Sequence, residues 1–274
     1  MRAAFALWKN HKSMKEPRID EMILHEDENL IVLAKPAGLA STAERNEGRV
    51  NLLALLRARN PGARLCHRID RETSGVMIAA KTFSAYRVLA ELFRRRQVSK
   101  VYHAVVWGRT AFDEHAIALP LRTVAGTFRP AGQAKGEPVS TFRAVVDASR
   151  RGRPSRTIVT TLSASRRFSL LECRPLTGRM HQIRIHLSRE GFPILCDPLY
   201  RGAPPFLSEI KRGYRRSGED EERPLIRRVA LHARSIGFEL FGEERLFEAP
   251  YPKDFAALLK ALSKYDGLVT PPVS

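Results

Sequence analysis

A polar, charge-rich loop that empties into an uninterrupted apolar run is the strongest constraint in this chain. Residues 66–75, CHRIDRETSG, carry one carboxylate, Asp70, between Arg68 and Arg71, with Glu72 close behind. Val76 to Ala80 follow without a polar residue, which reads as a short buried strand. A side chain on a glycine-ended loop at the mouth of such a strand is held on a rigid element, a frequent setting for reactive groups. The two flanking guanidiniums favour an ionised Asp70. Read alone, the string also describes an ordinary surface ion pair, which is common and weak.

The elements around it follow from local patterns. Leu30 to Ala34 lie between Asp27-Glu28-Asn29 and Pro36-Ala37-Gly38, a strand between turns with Lys35 at its end. Residues 51–59 predict a helix capped by Asn51. Ser84 is expected to cap a second helix, with Ala85, Val88, Leu89, Leu92 and Phe93 at core spacing and Arg94 to Arg96 in its last turn. Residues 100–108 are β-rich, and alternation puts Lys100, Tyr102, Ala104 and Val106 on one face. From about 109 to 175, short β-like runs alternate with Gly, Pro and Ser loops. His181 to Glu190 predict a helix stopped by Gly191, with Pro193 beyond. His181 and His186 are five apart and do not share a face, so a HExxH-like metal site is excluded. Residues 203–228 read as a charged surface loop without apolar period, and Pro252 to Leu262 as a final helix burying Phe255, Leu258 and Leu259.

Charge narrows the partner. The formal net charge is +18, from 47 Lys and Arg against 29 Asp and Glu, which asks for a polyanion, either nucleic acid or an anionic membrane. No apolar stretch approaches the roughly 18 residues of a spanning helix, so nucleic acid is favoured. Cys66, Cys173 and Cys196 are odd in number, widely spaced and without a CxxC pair, which supports neither a zinc ribbon nor a disulfide framework. A reducing, cytoplasmic location fits. Residues 1–20 are read as an amino-terminal extension: a flexible terminus, a segment before initiation at Met14, or a transit peptide.

Five stretches, in order, resemble the motifs of the RluA-type pseudouridine synthases. DENLIVLAKPAGL resembles the opening acidic turn, strand and Lys-Pro-x-Gly-Leu. HRIDRETSG resembles the central His-Arg-Leu-Asp-Arg-x-Thr-Ser-Gly, with Ile69 as a volume-conserving change. KVYHAVVWG resembles Lys-x-Tyr-x-Ala-x-Val-x-Gly. GRMHQIRIHL followed by GFPILCD resembles Gly-Arg-x-His-Gln-Ile-Arg-x-His-Leu and Gly-x-Pro-Ile-x-Gly-Asp, with Cys196 where the family has glycine. RRVALHA resembles Arg-x-x-Leu-His-Ala, and AKGEPVSTFRAVV is similar to a weaker motif.

The resemblance implies an α+β fold, a mixed, largely antiparallel sheet with flanking helices, over a catalytic domain at 21–265. That domain would carry the charged insertion at about 203–228, be followed by a tail at 266–274, and lack the amino-terminal RNA-binding domain of many relatives. The implied activity is isomerisation of specific uridines in structured RNA, ribosomal or transfer, to pseudouridine, with no cofactor and no metal, by a monomer. Asp70 is the implied catalytic carboxylate, with Arg184 paired to it. Tyr102 packs against the target base and assists removal of the C5 proton. Arg68 helps occupy the space left when the uridine leaves its stack. His67, Arg71, Lys35 and Arg179 contact phosphates, and Leu231 packs beside the active site. A base glycosylase would ask for a second facing carboxylate, and Glu72 is too close in sequence to Asp70 to provide it. An RNA-binding protein without catalysis predicts damage at Asp70, Tyr102 or Arg184, and all three are intact.

Overall fold

The apolar run beyond Asp70 becomes the centre of a sheet. The computed structural model describes residues 17–43, 50–128, 139–214 and 221–269. They form two compact units, residues 17–102 with 231–252 and residues 103–230 with 253–269.

In the first unit, β1 (Ile23–Glu26), β2 (Leu30–Lys35), β4 (Ser74–Ala80), β11 (Leu231–Leu240) and the start of β5 (Ser99–Trp107) lie side by side in the order β1-β2-β4-β11-β5. The short β3 (Arg64–Leu65) pairs with β4, and β12 (Glu243–Glu248) with β11. β2 runs antiparallel to β4 from Leu30↔Ala80 to Lys35↔Gly75, whereas β11 is parallel to it at His232↔Ser74 and Ala233↔Gly75. Every residue of β4 is buried, as its unbroken apolar sequence predicts for a strand with neighbours on both edges and cover on both faces. Leu30 to Leu33, Val76 to Ala80, Leu52, Leu56, Ala85, Leu89, Ile236 and Phe238 form one core, each large aliphatic contributing about 1.5–3 kcal/mol.

Two helices cover this core. α1 (Leu52–Arg59) is capped as expected, with Asn51 Oδ1 accepting from the Ala54 N–H at 3.0 Å. α2 (Phe83–Arg95) is capped by Thr82 in place of Ser84. Thr82 has the extended backbone that a cap requires and its hydroxyl accepts from the Ala85 N–H at 3.2 Å, so Ser84 falls inside the first turn. In the last turn Arg94 and Arg95 both pair with Glu91.

The second unit carries the rest of β5 beside β10 (Phe168–Pro175), β9 (Arg156–Ala164) and β6 (His115–Ala118), in that order, plus a hairpin of β7 (Leu121–Phe128) and β8 (Val139–Val146). His103 to Val106 are all buried, so the one-sided alternation expected of β5 is lost over this half. The turn expected before β8 in AKGEPVS lies largely outside the described residues. α3 (Gln182–Arg189) starts just after His181, whose φ is +52°, and Gly191, at φ +89°, ends it. The final helix, α5 (Lys253–Asp266), continues past Leu262 and buries Phe255, Leu258, Leu259 and Leu262.

The 203–228 segment departs from the surface loop expected. It contains a one-turn helix, α4 (Leu207–Ile210), and buries Ile210 and Ile226. Leu225 N–H bonds the Pro205 carbonyl at 2.9 Å, and Arg228 forks onto Asp254 at 2.7 and 2.9 Å. Two isolated anchors make no period, so sequence patterning did not show them. The fold is α+β, and the strand pairs are mostly antiparallel.

Candidate active site

The backbone on both sides of Asp70 is locked. Ser41 Oγ donates to the Ile69 carbonyl at 2.8 Å and lies 3.3 Å from the Ile69 N–H. The Arg71 carbonyl accepts from Gly38 N–H at 2.8 Å and from Lys35 Nζ at 3.1 Å. Thr73 N–H closes the turn on the Asp70 carbonyl at 3.1 Å. Asp70 is half-buried at the centre of these ties.

Lys35 corrects one expectation. It is 1% exposed, and its ammonium donates to the carbonyls of Leu39 at 2.7 Å, Pro36 at 2.9 Å and Arg71. An ammonium turned inward onto three backbone carbonyls does not reach RNA phosphate. It joins the 36–39 turn to the Asp70 loop. The parallel contact with β11 tightens the same end: at Gly75, with φ +124°, an added Cβ would stand 2.2 Å from the Ala233 carbonyl oxygen, so only glycine permits this approach. Beside it Ser74 Oγ and His232 Nδ1 are 2.9 Å apart, and His232 Nε2 is 3.1 Å from the Ala249 carbonyl. That carbonyl can only accept, so Nε2 holds the ring proton and the serine hydroxyl donates to Nδ1. Leu231 is buried at the start of β11, one residue before the His232↔Ser74 pair.

Tyr102 is half-buried in the same unit, and its hydroxyl pKa is pushed well up, first by burial and then by the negative charge of Asp70. Both causes favour the protonated phenol. His67 is also corrected as a phosphate contact. Its ring stacks on Phe93 with centroids 4.9 Å apart, and Nε2 accepts from the Ile78 N–H at 3.0 Å. Burial, aided by the charge of Lys100, pushes its pKa down to about 3, so the ring is neutral and structural. Arg68 is different: it is exposed and has no hydrogen bond or ion pair among the described residues. Arg71 is half-buried.

Arg184 and Arg179 belong to the second unit. Arg184 forms a bidentate pair with Asp197, Nε to Oδ2 at 2.7 Å and Nη2 to Oδ1 at 2.8 Å, and its guanidinium lies 5.3 Å from the Tyr200 ring centroid. Asp197 is fully buried. Sequence reasoning passed over Asp197, although it closes the GFPILCD stretch. Cys196 before it holds φ +57°, so the left-handed turn survives without glycine, and its thiol donates to the Ile226 carbonyl at 3.0 Å. Arg179 Nε donates to the Pro154 carbonyl at 3.2 Å. His186 sits with Ser155 and Thr157 at 2.8 and 2.9 Å, and burial pushes its pKa down to about 4. Among the described residues, no three His, Cys, Asp or Glu side chains converge as metal ligands.

A carboxylate on a loop tied from both sides, in a chain of net charge +18, has the character of an enzyme acting on nucleic acid. Residues 29–189 match the sequence model of a family described as RNA pseudouridylate synthase. Ribosomal large subunit pseudouridine synthase C of Haemophilus ducreyi is 33% identical over 256 residues, covering 92% of this chain and 72% of that protein. Ribosomal large subunit pseudouridine synthase D of Nitrosomonas europaea is 33% identical over 264 residues, covering 93% and 69%. The solved structure of Human RNA Pseudouridylate Synthase Domain Containing 4 is similar with a TM-score of 0.66 at 26% identity, covering 93% of this chain and 96% of that one. The chain belongs to the RNA pseudouridylate synthase family, and is an isomerase that converts uridine in RNA to pseudouridine. Among its described residues no helix is long and apolar enough to cross a membrane.

Proposed function

We propose that this chain isomerises uridine in the RNA of the large ribosomal subunit, with Asp70 as the catalytic carboxylate. The supporting observation is the double tie on Asp70, Ile69 to Ser41 and Arg71 to Gly38 and Lys35, which presents one carboxylate on an immobile loop. The substrate follows that of the two bacterial relatives, both ribosomal large subunit pseudouridine synthases. The reaction breaks the N1–C1′ bond and makes a C5–C1′ bond. C5 loses a proton and N1 gains one, so the exchange is balanced without a co-reactant. Asp70 either adds to C1′ or takes a proton from the ribose at C2′ as the base departs.

The remaining residues take roles that suit their environments. Tyr102, held protonated, packs against the base and donates a hydrogen bond to it. Arg68, exposed beside Asp70, occupies the space that the uridine leaves on flipping. Leu231 supplies an apolar wall. For Arg184 we keep the role that the family motif implies, the cation serving Asp70. Arg71 and Arg179 contact phosphate. The enzyme works as a monomer in the cytosol, without metal or cofactor. Chemical mapping of pseudouridine in large-subunit RNA, from cells with and without the gene, tests the substrate. Sites that vanish with the gene and return with the purified enzyme are expected. Identical maps, with activity found instead on transfer RNA, would overturn the ribosomal reading.

A further inference from the structure

One aromatic on the first unit is oddly placed. Phe83 opens α2 and is 61% exposed, a large ring left open to solvent. Its neighbour is the guanidinium of Arg64, 5.5 Å from the Phe83 ring centroid and 5.9 Å from that of Tyr86. Arg64 donates to the Gly62 carbonyl at 2.8 Å and has no carboxylate partner among the described residues. Arg87, one turn on from Phe83, is exposed and also has none. Phe83, Arg87, Ala90 and Arg94 follow the i, i+4, i+7, i+11 spacing of one outward stripe, while Ala85 and Leu89 face the core. At 1.5 Å per residue the stripe is about 16 Å long. Its far end reaches the turn whose Phe93 carries the His67 ring, three residues from Asp70.

An exposed ring flanked by Arg64 and Arg87, neither with a carboxylate partner among the described residues (Arg94, farther along the stripe, pairs with Glu91), fits one class of ligand, single-stranded RNA. Bases of any identity stack on an aromatic face while a basic rim tracks the phosphates. The geometry points to the outward stripe of α2, with Arg64, as a second RNA contact, where Phe83 stacks an unpaired base of the same RNA whose uridine reaches Asp70. This deepens the function proposed above and rests on RNA being the substrate. Arg64 stiffens the ring from one side, and Arg87 carries the strand toward the catalytic loop.

The test is binding of a fluorescently labelled, unstructured oligouridylate to the full chain at several salt concentrations. Phe83→Ala is expected to weaken binding at least about fivefold, by a factor that salt hardly changes. Phe83→Trp restores it. Arg87→Gln lowers the slope of log affinity against log salt by about 0.7. Leu246→Ala, which trims an equally exposed apolar residue on β12, leaves affinity unchanged. With folding verified by thermal melting, a Phe83→Ala protein that binds like wild type would overturn the proposal, and the patch would then suit a protein partner. Pseudouridine formation by the wild type is scored separately. A silent enzyme with a Phe83-dependent affinity would remove the catalytic reading and support the contact.

Discussion

Replacing Lys35 by Met separates a structural lysine from a phosphate contact. The change keeps an unbranched side chain of similar length in a site that is 1% exposed. It removes the donors to three carbonyls. The Arg71 carbonyl retains Gly38 N–H, whereas those of Pro36 and Leu39 lose the donor that Lys35 supplies. An unsatisfied buried acceptor costs about 1–3 kcal/mol. Leu39 is buried while half-buried Pro36 can regain water, and the loss is partly offset because a buried ammonium no longer needs desolvation, so a net destabilisation of about 1–3 kcal/mol is expected. The Asp70 loop also loses one of its ties, so turnover should fall by about tenfold or more, as small misplacements of a reacting group do. Urea unfolding gives the first quantity, tritium release from C5-labelled uridine in RNA the second, and the salt dependence of RNA affinity a third. That slope should stay at its wild-type value. A variant as stable as wild type, with a slope reduced by about 0.9, would put Lys35 on a phosphate and refute the argument.

Arg184→Met leaves Asp197 buried without its cation, so a loss of about 3–5 kcal/mol is expected along with a sharp fall in turnover. Adding Asp197→Asn should restore part of the stability, read by urea unfolding, and none of the turnover; recovery of both would make Arg184 purely structural. Stability should also decline in acid. His67 and His186 have folded pKa values of about 3 and about 4 against 6.5 for a free imidazole. The unfolded chain therefore takes up protons first, so the stabilisation is complete above about pH 6.5 and is lost as pH falls toward those values. Unfolding midpoints measured across that window test the sign, and a flat profile in wild type, or an unchanged slope in His67→Phe, would contradict it.

The elements that were legible were those written in the residues' own patterns. Val76 to Ala80 announce a covered strand, Asn51 a cap, and Phe255, Leu258 and Leu259 a helix stripe, and each holds. What was hidden depends on partners without sequence identity. Lys35 and His67 both look like phosphate contacts in a basic chain, yet one is taken by backbone carbonyls and the other by the Ile78 N–H. Thr82 and Ser84 are chemically equal caps, and only the backbone angle at Thr82 decides between them. Ile210 and Ile226 anchor a charged segment from positions too far apart to form a period. Asp197 went unnoticed because its partner, Arg184, lies 13 residues away on a helix, a distance over which no local rule operates. The charge and aromatic placement of Phe83 and Arg64 became visible only when β3 and the start of α2 were brought together.

Asp70→Asn tests the catalytic carboxylate most directly. Asparagine is nearly isosteric, and the ties on Ile69 and Arg71 use backbone groups that the change leaves alone. The variant should therefore fold, with at most a modest loss of stability, and bind RNA with similar affinity and salt slope. It should release no tritium from C5-labelled uridine above background, because an amide neither adds to C1′ nor takes the C2′ proton. Asp70→Ser provides a second folded variant with the same expected silence. Turnover near the wild-type rate in either folded, RNA-bound protein would contradict the assignment of Asp70 as the catalytic group.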